Sequence, residues 1–258
     1  MYGFADKKSI YIILNITLLN RGIVIIMVEV VMVNWVYVIL LFILGFITYY
    51  RKSLDLFGSA VMIIMGIVII FSAGVNWLLL IVLFLVMSLL ATKYSKKYKR
   101  SLGQFEGRRT SKNVISNGVV ACFMAAFGGY YLPFVGGFIG AIATATADTL
   151  GSEIGVLDPH PRLITTFQSV DPGTNGAVSV LGTVIGIIGA AVIGIVAFLL
   201  GIVPSPLSAI AVSVISGFIG CFTDSILGAL FENRGMITNE HVNLMATIVG
   251  AIVGILLI

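Results

Sequence analysis

Charge is what this chain has least of. Asp, Glu, Lys and Arg make up 10% of its 258 residues, against about a quarter in ordinary globular domains. That scarcity excludes a water-soluble fold, which would need far more polar surface. Cysteine is scarce too. Cys122 and Cys221 both lie in apolar stretches, where small buried hydrophobes explain them better than a disulfide or a metal site. The two histidines, His160 and His241, have no ligand-spaced His or Cys nearby, which argues against zinc. The sequence contains no G-x-x-x-x-G-K-[ST], G-x-S-x-G or H-E-x-x-H pattern, so P-loop, serine-hydrolase and zincin chemistry lack their signatures. The net charge of +4 comes mostly from one loop and bears on membrane orientation; no nucleic-acid partner is expected.

Hydrocarbon is abundant. AVILMFWYC residues make up 59% of the chain, and the mean hydropathy is +1.12. Apolar runs of roughly 17–25 residues recur, each able to cross about 30 Å of bilayer as a helix. They are continuously apolar rather than alternating, which favours helices over a β-barrel. The 29 glycines suit helices that approach closely in lipid. The predicted fold is all-α: one integral membrane domain over 1–258, a polytopic transmembrane helix bundle of seven or eight spans. Candidate apolar segments lie at 30–50, 56–73, 75–91, 114–132, 133–150, 176–203, 207–231 and 242–258. The stretch 10–28, interrupted by Asn15, Asn20 and Arg21, either spans or lies in the interface; it lacks a small-residue cleavage site and is not read as a leader.

Residues 92–113 form a basic loop separating the N-terminal spans 1–91 from the helix–loop–helix units of 114–258. The positive-inside rule places this loop in the cytoplasm. Counting turns then puts 51–55, 151–175 and 232–241 on the same side. Lys93 to Arg100 is assigned to this orienting role and to attraction for anionic headgroups of membrane lipids. A faint internal repeat joins Gly137–Gly140 and Asp148 to Gly217–Gly220 and Asp224, each followed by a loop and a Thr-Asn pair.

Asp148 and Asp224 are the acids that call for explanation, because carboxylates in apolar segments are expensive and usually serve a cavity, a partner or an ion. Placement at the water boundary, where a carboxylate costs little, is the plain alternative. The functional alternative has both holding Mg²⁺, a hard cation often bound by one or two carboxylates plus substrate phosphates, with Glu153 as a third ligand. Gly173-Thr174-Asn175-Gly176 precedes a predicted span. Its glycines would let backbone N–H groups approach a phosphate at a helix N-terminus, unless it is an ordinary turn and cap. Thr165 and Thr166 add hydroxyls to that loop. Arg108, Arg109, Lys112, Asn113 and Asn117 put donors beside the start of a span, where a nucleotide or prenyl phosphate would sit.

Four motifs in order, GRRTSKN-x-x-x-NG (107–118), ADTLGSEIG (147–155), TT…V-x-PGTNGAVS-x-x-GT (165–183) and DS-x-LGA-x-x-E (224–232), resemble the phytyl-phosphate kinase family over about 105–258. More distantly, the pattern is similar to phytol and dolichol kinases, which use CTP. The dolichol kinase loop carries a lysine before its glycine turn, whereas Thr165, Thr166 and Gln168 stand here. The resemblance implies Mg²⁺-dependent phosphoryl transfer from a nucleoside triphosphate, CTP favoured, to a polyprenyl or phytyl monophosphate. Asp148, Glu153 and Asp224 would be the catalytic metal ligands, with the tail among the glycine-rich spans. A lipid cytidylyltransferase and a broken-helix transporter are the rival readings; a homo-oligomer is compatible with the sequence and not specified by it.

Overall fold

The computed structural model describes residues 34–103, 110–129 and 131–258. The stretch 10–28 and the arginines at 108 and 109 lie outside the described residues. The helices are α1 (Asn34–Tyr50), α2 (Leu56–Ser72), α3 (Val75–Ser101), α4 (Ser111–Gly128), α5 (Leu132–Gly155), α6 (Val180–Leu199), α7 (Pro206–Leu230) and α8 (Asn239–Leu257). Five of them, α3 and α5–α8, are long and apolar enough to cross a bilayer. The helices α1 and α2 are shorter and apolar, and α4 opens with Ser111, Lys112 and Asn113. The expected count of seven or eight spans thus reduces, among the described residues, to five helices that meet the requirement by themselves.

Everything is arranged around α5. Its spanning window is 83% buried, against 28–39% for the other four, and it packs against α3, α4, α6, α7 and α8. Small residues make that possible. A Cβ added to Gly186 of α6 would stand 2.9 Å from the Ala147 carbonyl oxygen, and one on Gly182 would stand 2.7 Å from that of Gly151. On the opposite side Gly136 and Gly140 of α5 meet Gly254 and Gly250 of α8, backbone against backbone. Such spacing by fours of small residues lets helices touch where lipid offers no hydrophobic drive for association.

Helix ends depart from the apolar runs in an instructive way. The helix α3 does not stop at Ala91 but carries the lysine segment to Ser101. Lysine is a good helix former, and Lys99 and Arg100 in the last turn complement the helix dipole. Likewise α5 runs past Leu150 to Gly155, so Asp148 lies seven residues, about 10 Å, inside the helix rather than at its end. The loop after α5 holds a two-stranded antiparallel ribbon, β1 (Arg162–Leu163) with β2 (Ala177–Val178), which an all-α reading did not foresee. The other loop of the suspected repeat has instead a 3-10 turn at Glu232–Arg234. The two loops thus share no structure, and the suspected repeat has no support beyond one aspartate on each of α5 and α7.

Candidate functional site

Parallel packing of α5 and α7 sets the depth of the two aspartates. Gly217 and Gly220 of α7 face Ala143 and Thr144 of α5, and Thr144 Oγ1 donates to the Ser216 carbonyl at 3.0 Å. One helical turn further on, four residues along each chain, the same register brings Asp224 opposite Asp148. Their carboxyl groups lie within hydrogen-bonding reach of each other. Asp224 Oδ2 is buried and has no hydrogen-bond partner. A buried polar atom left unpaired is costly and calls for a ligand to satisfy it.

Both carboxyls face a cavity of about 990 Å³ at one end of the bundle. Its walls come from every element that reaches that end: Arg51 and Lys52 after α1, Lys93, Lys96 and Lys99 on α3, and Asn113 and Asn117 on α4. The far wall is Ser179 and Thr183 of α6 with Asn239 and Asn243 of α8. The ends of α1, α3, α5 and α7 thus gather round one space. Acids lie deep and cations ring the mouth, an arrangement complementary to a metal-bound polyanion.

Glu153 also lines the cavity, but α3 has claimed it. It pairs with Lys99 Nζ at 2.9 Å and accepts from Ser95 Oγ at 2.6 Å and Thr92 Oγ1 at 3.0 Å. Among the described residues no three of His, Cys, Asp and Glu form a metal-ligand cluster. The pair Asp148 and Asp224 nevertheless fits Mg²⁺, which takes one or two carboxylates with phosphate oxygens. Glu153 serves to hold the lysine-bearing end of α3 against α5.

Gly173, Thr174, Asn175 and Gly176 line the cavity as well. Gly173 and Gly176 have φ of 85° and 75°, the left-handed region that favours glycine. They do not sit at a helix N-terminus: β2 intervenes, and α6 starts at Val180 with Ser179 as its N-cap. The turn instead rests on α7. A Cβ on Gly176 would come 2.5 Å from the Ser225 carbonyl oxygen, and Asn233 Nδ2 donates to the Asn175 carbonyl at 2.9 Å. Thr165 and Thr166 ride on the exposed tip of the ribbon, where Phe167 at φ 57° reverses the chain, and are not on the cavity wall. Lys112 is exposed and is not on the cavity wall either. Asn113 faces the cavity while its Oδ1 caps α4 by accepting from the Thr110 N–H at 2.9 Å. Asn117, one turn on, donates to the Asn113 carbonyl at 3.0 Å.

Sequence reasoning missed the lysines of α3 and the asparagines of α8. Lys93, Lys96 and Lys99 recur at i, i+3, i+6, one face of a helix, a signal hidden by treating the segment as a loop. Asn239 and Asn243 carry the same i, i+4 spacing as Asn113 and Asn117.

A family model described as integral membrane protein DUF92 matches residues 39–251. An uncharacterized membrane protein of Methanocaldococcus jannaschii is 38% identical, covering 80% of this chain and 86% of its own. The protein PGR of Arabidopsis thaliana is 32% identical, over 77% of this chain and 78% of its own. The chloroplastic protein VTE6 of the same plant is 30% identical, over 78% of this chain and 64% of its own. No solved structure matches the chain.

Proposed function

This chain belongs to the DUF92 family of integral membrane proteins, and on that premise we propose that it is a prenyl-phosphate kinase. It would move the terminal phosphoryl group of a nucleoside triphosphate, CTP favoured, onto a polyprenyl or phytyl monophosphate. One observation carries the reading: a bundle otherwise built of hydrocarbon gathers two half-buried aspartates, a row of lysines and two asparagine pairs round one 990 Å³ cavity. The likeness of four motifs to the phytyl-phosphate kinase family supports the same reaction.

Phosphoryl transfer asks a protein for positioning and charge neutralisation rather than covalent chemistry. Asp148 and Asp224 would hold Mg²⁺, which when bound offsets the charge of the nucleotide phosphates. Lys93 and Lys96 would orient the polyphosphate from α3, and the Gly173–Gly176 turn would close over it. Asn113 and Asn117 would receive the phosphate of the lipid. An oxygen of that monoester attacks the terminal phosphorus, the bond to the bridging oxygen breaks, and the nucleoside diphosphate leaves. The attacking monoester is already largely ionised near neutral pH, so no strong general base is needed.

Purified protein in nanodiscs with Mg²⁺, CTP and geranylgeranyl monophosphate should yield the lipid diphosphate and CDP. A product carrying CMP on lipid would point to a cytidylyltransferase, and nucleotide-free flux in liposomes to a transporter. If no nucleotide supports turnover on any prenyl acceptor, the kinase reading fails.

A further inference from the structure

A second, smaller space opens on the other side of α4. It lies between α1, α2, α3 and α4, with about 80 Å³ free, and its wall includes Leu41, Met62, Met65, Ile69, Leu85 and Gly118. Its polar residues are Asn113 and Asn117, which also line the large cavity. The first two turns of α4 are thus a shared partition, wet on one face and hydrocarbon-lined on the other. Water has little reason to fill the smaller space, since an ordered water needs two to four polar partners. The lining on α4 runs from Asn113 to Ala121, about 12 Å of helix.

We propose that this crevice holds the head-proximal units of an isoprenoid chain whose phosphate lies across Asn113 and Asn117 in the large cavity. The assignment rests on the kinase reading and moves the tail away from the glycine-rich helices, where backbones already touch. The space between α5 and α6 is filled to the point that Gly186 lies against Ala147. In the crevice the fit is adjustable. A Cβ on Gly118 would stand 2.7 Å from Met65 Cε, so the end of one flexible thioether side chain covers the missing side chain on α4. Methionine adapts its three torsions to irregular apolar partners such as a methyl-branched chain.

The full chain in nanodiscs, without nucleotide, is incubated with geranylgeranyl monophosphate bearing a diazirine near its head. After irradiation, peptide mapping should find adducts on α2 and α4 around Met65 and Gly118. Gly118→Leu should cut labelling at least about tenfold, 1.4 kcal/mol of binding, while leaving the Mg²⁺-nucleotide thermal shift intact. The double change Gly118→Leu/Met65→Ala should restore labelling by returning the space. If Gly118→Leu loses the thermal shift, Met65→Trp fills the same space from the facing wall and replaces it. Adducts chiefly on α6, α7 or α8, undiminished labelling in the filled variants, or equal competition by phosphatidic acid would each overturn the assignment. Labelling needs no turnover. Crevice adducts without phosphoryl transfer would sink the kinase and keep the crevice, and turnover with adducts elsewhere would do the reverse.

Discussion

Replacing Asp224 with asparagine should make the protein more stable and inactive at once. In the wild-type chain its Oδ2 is buried without a partner while the other carboxyl of the pair lies within hydrogen-bonding reach. Holding both carboxylates ionised in that space would cost roughly 4 kcal/mol at a separation of about 4 Å and an effective dielectric of 20. Asparagine removes that cost and offers an amide donor toward Asp148. Repacking and the loss of charge hydration offset part of the gain, so a net rise of about 1 kcal/mol is expected, some 2–4 °C in a domain of this size. Mg²⁺ should act in the opposite sense. A ligand at 100 times its dissociation constant stabilises by about 2.7 kcal/mol, and that increment should appear in wild type and vanish in Asp224→Asn. Turnover should fall by about 10²–10³, the usual cost of deleting one electrostatic contact to the transition state. Thermal unfolding by intrinsic fluorescence in detergent, with and without Mg²⁺, reads both effects. An apo variant less stable than wild type, or an equal Mg²⁺ response in the two, would refute the paired-carboxylate site.

Further outcomes follow from other walls of the cavity. Glu153→Gln should lower stability by about 1–3 kcal/mol, because Lys99, Ser95 and Thr92 lose a shared anion; it should keep the Mg²⁺ shift, and its loss would make Glu153 a ligand after all. Lys96→Ala should raise KM for the nucleotide about tenfold, with a weaker dependence on salt than wild type, while a kcat-only effect would remove α3 from nucleotide binding. Gly186→Val places a branched side chain against the Ala147 carbonyl and should separate α5 from α6, seen as aggregation in size-exclusion chromatography; a monodisperse, active variant would show that contact to be dispensable. A cysteine introduced at His160, in the exposed turn after α5, should react with a membrane-impermeant maleimide in inside-out vesicles and not in intact cells, and the reverse pattern would invert the topology.

Apolar length made the bundle legible, and counting turns placed the ends of α1, α3, α5 and α7 together, where they line one cavity. What composition could not show was where a helix continues through polar residues. Lys93 to Ser101 reads as a loop because hydropathy falls, yet lysines propagate helix, and Ser95 with Glu153 ties the segment to α5. The same blindness placed Asp148 near a loop when Ser152 and Glu153 extend α5 by another turn. Spacing along the chain put Glu153 with Asp148 as a metal ligand. Five residues along a helix, however, turn a side chain about 140° away, toward α3. Gly173 and Gly176 were correctly seen as a tight turn, but the short β2 between that turn and α6 leaves no pattern in two residues.

The depth of the aspartates explains why the lysines must sit on a helix. Asp148 lies about 10 Å below the end of α5, so a metal that it helped to hold would leave the charge of a polyphosphate nearer the mouth uncompensated. The outer charges would remain near the mouth, where a mobile loop of cations would neutralise them weakly and without direction. Carrying Lys93, Lys96 and Lys99 on a continuation of α3 fixes successive positive groups about 4.5 Å apart along one face. The Lys99–Glu153 contact, 2.9 Å long with both side chains mostly shielded from solvent, anchors the last of the three to α5, the helix that carries Asp148. Positions of cation and carboxylate are therefore set by one rigid pair of helices. In phosphoryl transfer, where alignment supplies much of the rate, that coupling gives α3 a positioning role that membrane orientation alone would not require.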